Sequence, residues 1–197
     1  MTGADGVPPG PVPPGTTDWD GAAYQDRFDA LAARGVDVHG EVDLLMALGP
    51  GSVLDAGCGT GRVAAELVRR GVAAVGIDRD ASMIATARRT APHVRFEVLD
   101  VAGADLGETF DVVVMAGNVP LFTPVGTQPA LVAGCARHLV AGGRLVAGFQ
   151  LGRGYDLAEY DETCTGLGLV LEDRWSTWDR APFVEGSAYA VSVHLAP

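Results

Sequence analysis

Three aspartates stand where apolar runs stop. Asp55 closes Val53-Leu54, Asp78 closes Val75-Gly76-Ile77, and Asp100 closes Phe96-Glu97-Val98-Leu99. Each alone reads equally well as a helix cap or a turn residue. Together they carry more weight, because the ligand crevice of an open parallel sheet lies off the carboxyl ends of its strands. Between the first two stands Gly57-Cys58-Gly59-Thr60-Gly61, a glycine at every second position. Behind it Val63, Leu67 and Val68 recur at helical spacing. A buried strand, a turn without side chains and a helix start let backbone N–H groups approach a ligand, near a partial positive charge. An ordinary tight strand-to-helix connection would use glycines too.

Asp78 has the most specific chemistry. A carboxylate ending the second strand, about 20 residues beyond the glycine turn, can accept both hydroxyls of a ribose. No GxxxxGK[ST] phosphate loop is present, and the glycines follow GxGxG rather than GxGxxG. Asp55 just ahead of them would repel a pyrophosphate and attract an ammonium group. The expected ligand is therefore a nucleoside with a cationic tail. An NAD(P)-dependent oxidoreductase is the rival, but it would need GxGxxG and a proton donor such as Tyr-x-x-x-Lys, and the chain contains no lysine.

The elements that must hold these residues follow from periodicity. Apolar runs at 52–56, 73–77, 94–99, 111–115 and 144–149 alternate with helical stretches at 62–70, 81–90 and 128–140. Runs so uniformly apolar suit parallel strands covered on both faces, giving a doubly wound α/β class with one sizeable core. Residues 157–163 read as a short helix, and 167–178 with 186–195 as a closing antiparallel hairpin. At the other end, residues 1–17 hold five of the twelve prolines and little apolar bulk, so they read as a disordered tail. Residues 18–197 make a single domain, with two helices leading into the first strand.

Charge and cysteine usage narrow the function. Asp and Glu outnumber Lys and Arg, for a net charge of −11. That sign disfavours nucleic acid and anionic membrane surfaces. No run approaches the roughly 20 apolar residues of a membrane span, and no signal pattern opens the chain, so a cytoplasmic protein is expected. Cys58, Cys135 and Cys164 have no CxxC spacing and the four histidines no HExxH, so no metal site is expected.

Asp55-Ala56-Gly57-Cys58-Gly59-Thr60-Gly61 resembles the D/E-x-G-x-G-x-G signature of class I S-adenosylmethionine-dependent methyltransferases. Leu139-Val140-Ala141-Gly142-Gly143-Arg144-Leu145 is similar to that family's L-x-P-G-G-x-L, with Ala141 replacing proline. The resemblance runs from about Trp19 to the end. It implies a Rossmann-like seven-stranded sheet in the order 3-2-1-4-5-7-6 and S-adenosylmethionine as cofactor. It also implies that Gly57, Gly59 and Gly61 admit the methionine part, with Cys58 contributing backbone and Asp55 lying near the amino group. Asp78 would hold the ribose, Arg79 and Met83 would flank the adenine, and Asp100 would accept from its amine beside Val101. Met83 could equally belong to the core.

The active-site loop implied is 115–122, with Met115, Gly117 and Asn118 at the cofactor. Asn118-Val119-Pro120-Leu121 departs from the N-P-P-Y/F loop of enzymes that methylate base or glutamine amines, since the second proline and the aromatic are missing. The implied activity is therefore methyl transfer to a small molecule, by a monomer or homodimer. A cofactor-binding regulatory module without catalysis is the alternative. Residues 18–48 are expected to form a lid, with His39 and Tyr24 facing the methyl group and Arg27 pairing the cofactor carboxylate. Each of these three also has a plain structural reading. Trp175 and Trp178 are expected in or beside the last hairpin.

Overall fold

The computed structural model describes residues 39–197, and residues 30 and 34 besides. The expected tail, the first leading helix, Tyr24 and Arg27 lie outside the described residues. Helix α1 (Gly40–Ala47) comes first, with Val42, Leu44 and Leu45 buried. They join Val53, Val63, Leu67, Val112, Val146 and Val191 in one apolar layer. Burying a large apolar side chain contributes roughly 1.5–3 kcal/mol. Residues 40–47 are thus part of the packed body, which corrects the expectation that they belong to a lid.

Strand β1 (Ser52–Ala56) leads through the glycine turn to α2 (Arg62–Arg69), then β2 (Ala73–Asp78), α3 (Ala81–Thr90) and β3 (Arg95–Val98). The second half runs β4 (Phe110–Met115), α4 (Val119–Phe122), α5 (Gln128–Arg137), β5 (Leu139–Gln150), α6 (Leu157–Gly166), β6 (Val170–Trp175) and β7 (Tyr189–Leu195). The seven strands lie in the order β3-β2-β1-β4-β5-β7-β6. β1 to β5 pair in parallel, and β7 is antiparallel to both its neighbours. This is the doubly wound sheet expected, with the strand order implied by the resemblance.

Consecutive rather than alternating burial in β1 and β4 follows from cover on both faces. One face carries α1 and α2, and α3 continues that cover through Ile84 and Ala87 against Phe96. The other carries α5 and α6, whose Leu131, Cys135, Tyr160 and Cys164 pack with Leu54, Val113, Leu145 and Phe149.

Three boundaries differ from the sequence reading. Helix α5 stops at Arg137 instead of Val140, because His138 ends it. Its Nε2 accepts from the Leu106 N–H at 3.2 Å, so Nδ1 carries the hydrogen and donates to the Gly134 carbonyl at 2.8 Å. Leu139 is then free to pair with Phe110. Helix α6 runs on to Gly166 and Gly168 turns the chain at φ 81°, so β6 begins only at Val170. A one-turn helix, α4, occupies what reads as plain loop.

Candidate functional site

A cavity of about 1050 Å3 opens at the carboxyl ends of β1 to β4. It gathers Asp55, Gly57, Cys58, Gly59, Asp78, Arg79, Met83, Asp100, Val101 and Gly117 from the residues singled out in the sequence. Gly61, Met115, Asn118 and His39 do not line it.

The glycine turn works differently from the expectation. Its amides are engaged within the protein. Gly57 and Cys58 donate to the Ile77 carbonyl, and Gly61 donates to that of Cys58. The Gly59 N–H reaches the Asp78 carboxylate at 2.9 Å. What the glycines supply is space and backbone freedom. Gly57 sits at φ +78°, and a Cβ there would stand 2.7 Å from Val119. Gly61 sits at φ +80°, and a Cβ would meet the Phe96 ring at 2.5 Å. Left-handed backbone and such close approach both demand glycine. The turn thus presses against α4 on one side and β3 on the other, leaving the cavity between.

The acids face this cavity in unlike states. Asp55 is only 1% exposed, and its carboxylate accepts from the Ala64 N–H at 3.1 Å. Burial pushes its carboxyl up to about 7, with nearby Arg62 opposing. A buried carboxyl so disposed gains from a cationic ligand. Asp78 accepts from the Gly59 N–H with one oxygen and from the Asp80 N–H, also 2.9 Å, with the other. Burial again raises its carboxyl. Each oxygen keeps a lone pair for a further donor. Asp100 is exposed and accepts from the Ala102 N–H at 3.0 Å. Cys58 has its thiol pushed well up by burial and by these carboxylates, so it is no nucleophile.

Other singled-out residues serve the frame. Met115 is fully buried in the core cluster. Asn118, at φ +70°, turns its Oδ1 to the Gln150 N–H at 2.7 Å, and its own N–H donates to the Gly148 carbonyl. That ties the loop after β4 to the end of β5. Both are corrections to their expected cofactor contacts. His39 stands at the N-terminal end of α1 rather than at the cavity. Trp178 packs on Gly148 and donates to Tyr189 Oη at 3.2 Å, beside the last hairpin as expected.

The sequence reading missed several lining residues. Asp80 caps α3 by accepting from the Ser82 and Met83 N–H groups, a role its place before a helical run could have signalled. Arg62 lines the Asp55 end and is held by both oxygens of Glu41, at 3.0 and 2.6 Å. Phe122, Thr123, Pro124, Thr127 and Leu131 form the far wall. Phe122 ends the loop that the sequence marked, and no pattern in the chain marks the other four.

Comparison with known proteins decides the family. A methyltransferase-domain family model matches residues 53–143. The crystal structure of a TehB-like S-adenosylmethionine-dependent methyltransferase from Corynebacterium glutamicum is 37% identical. It superposes with a TM-score of 0.85, over 90% of this chain and 98% of that one. This chain is a class I S-adenosylmethionine-dependent methyltransferase. The trans-aconitate 2-methyltransferase of Methylobacterium nodulans is 35% identical over 130 residues, 65% of this chain, which spans about half (48%) of that relative's length. The CcbJ methyltransferase of Streptomyces caelestis shares the fold at 23% identity, with a TM-score of 0.73 over 80% of this chain and 94% of its own.

The residues of this methyltransferase suit its cofactor, S-adenosylmethionine. Asp55 offers a buried carboxyl to a cationic group, Asp78 offers two oxygens to neighbouring hydroxyls, and Met83 and Val101 are apolar. Among the described residues no helix is long and apolar enough to cross a membrane.

Proposed function

We propose that this methyltransferase acts on a small molecule, with Asp55, Asp78, Met83, Asp100 and Val101 holding the cofactor. The observation that carries this is the charge of the cleft. Four aspartates line it against two arginines, Arg62 bound to Glu41 and Arg79 to a backbone carbonyl. Nucleic acid, with its polyanionic backbone, needs the reverse. The similarity to a trans-aconitate 2-methyltransferase supports a small acceptor.

When bound, the cofactor supplies an electrophilic methyl on a sulfonium that is already a good leaving group. The protein's work is then alignment. Asp55 fixes the amino end, Asp78 the ribose, and Gly57 with Val119 sets how closely the two walls approach. Holding an acceptor about 3 Å from its target replaces most of what a catalytic group would otherwise do. An amine or thiolate needs no base within the cleft, whereas a hydroxyl would.

The test incubates the protein with methyl-labelled S-adenosylmethionine and, separately, a metabolite mixture, RNA and protein. Label is expected in a low-molecular-weight product. Label in RNA or protein would overturn the proposal, and cofactor binding without any transfer would favour the regulatory alternative.

A further inference from the structure

The cleft has two walls. One comes from the ends of β1, β2 and β3. The other is the segment 119–127, running from α4 into the start of α5. We infer that this segment is a strap across the cleft and that Arg79 fastens it. The Arg79 guanidinium, rooted in the first wall, donates through Nη2 to the Phe122 carbonyl of the second at 3.2 Å. Both residues line the cavity, so the bond spans its rim.

The strap is pinned at both ends and cohesive between them. At its start Asn118 is locked to Gly148 and Gln150. At its end buried Gln128 accepts from the Gly126 N–H at 2.8 Å and donates to the Thr123 carbonyl at 3.4 Å. Thr123 Oγ donates to the Val119 carbonyl at 3.1 Å, and Thr127 Oγ to that of Pro124 at 2.7 Å. Gly126 at φ +84° gives a bend, and neighbouring Val125 is 90% exposed. With its ends held and its own turns bonded, the segment forms one unit, and the Arg79–Phe122 hydrogen bond ties its middle to the opposite wall. Arg79 is therefore a positioning residue for the closed cleft. This rests on the cleft holding the cofactor as proposed above.

A fastener and a direct ligand contact differ in their kinetics. Loss of a contact speeds release only, whereas loss of a fastener speeds both entry and exit. Stopped-flow binding of S-adenosylhomocysteine to the full chain tests this with Arg79→Ala, Arg79→Lys and Gln128→Ala. For Arg79→Ala both rate constants should rise about threefold to tenfold, the range of one hydrogen bond, while Kd changes less than either. Arg79→Lys, which still donates to the carbonyl, should restore most of the difference. Gln128→Ala loosens the strap without touching the cavity, and its effects should be less than additive with Arg79→Ala. Faster release with unchanged entry, or unchanged rates throughout, would overturn the strap while leaving the cofactor site standing. Absence of binding by the wild-type protein would sink the cofactor assignment and the strap with it.

Discussion

The strand-end aspartates of the β3-β2-β1 half and two acids of the β5-β7-β6 half are held in opposite ways. In the β5-β7-β6 half, acids are matched to arginines. Asp161 binds Arg174 through both oxygens, and Glu172 binds Arg144 likewise. At the strand ends of the β3-β2-β1 half, Asp55, Asp78 and Asp100 accept backbone N–H groups and none of these three forms an ion pair, unlike Glu97 of β3, which pairs with Arg95. A paired acid is satisfied and inert. An acid held only by amides, as Asp55 and Asp78 are while withdrawn from solvent, keeps lone pairs for a ligand.

The glycines should break along the same line, and with the largest effect. Gly61→Val forces a branched side chain into left-handed backbone and against the Phe96 ring. Strain of roughly 1–2 kcal/mol and overpacking of roughly 1–3 kcal/mol should add. Thermal unfolding should show a large drop in midpoint and cofactor binding should vanish. Gly152, on the far half, has φ +68° but open space around it. Gly152→Ala should cost only about 1 kcal/mol and leave binding intact. Equal outcomes at the two positions would mean that backbone angle alone, and not packing at the turn, makes glycine necessary.

Asp78→Ala comes next. It removes an acceptor for the ribose hydroxyls and releases the Gly59 and Asp80 amides as well. Hydrogen bonds to a charged group contribute about 1.5–3 kcal/mol each, so S-adenosylmethionine affinity should fall at least tenfold by calorimetry. Wild-type affinity would remove the ribose assignment.

Much of this was legible in the sequence because it rests on local periodicity. The alternation of strands and helices, the strand-end acids and the D-x-G-x-G-x-G turn all lie within short windows. What was not legible depends on distant partners. The Gly57 and Cys58 amides go to Ile77, Asn118 goes to Gln150, and Arg79 goes to Phe122, contacts that only the closed sheet creates. Met115 illustrates the same limit, since a residue at a strand's end can face the core or the crevice, and here it faces the core. Likewise, nothing local in Val42, Leu44 and Leu45 says whether their helix covers a ligand or the sheet.

Asp55→Asn should sharpen the comparison through pH. The native carboxyl lies at about 7 against an ordinary 3.8, so the unliganded folded state holds its proton more tightly than the unfolded chain does. Stability of the unliganded protein should therefore fall as pH rises from about 4 to about 7, then level off. Binding of an amino-bearing cofactor favours the ionised form, so affinity should rise with pH up to about 7 and level off above it. Asparagine still accepts from Ala64 but cannot ionise, so both slopes should flatten in the variant. A slope in affinity that survives Asp55→Asn would assign the titrating group elsewhere.

The smallest effect belongs to the far half. Glu172 and Arg144 are each about one-third exposed, at 35% and 31%. Their hydrogen bonds hold the Glu172 carboxyl below its ordinary range. A depressed acid contributes stability above its unfolded value, near 4.5, and loses that contribution as pH falls through its native value. Solvent screening keeps the pair's worth to about 0.2–1 kcal/mol. For a chain of this size, Glu172→Gln should lower the thermal midpoint at pH 7 by no more than about 1–4 °C. The difference from wild type should shrink below pH 4 and in high salt, because either condition removes the charge interaction that only the wild type has. Cofactor affinity should not change, since neither Glu172 nor Arg144, the β5 residue it binds, lines the cavity. A Glu172→Gln variant that binds S-adenosylhomocysteine several-fold more weakly would show that the arginine-paired acids also serve the site, and the division between the two halves would fail.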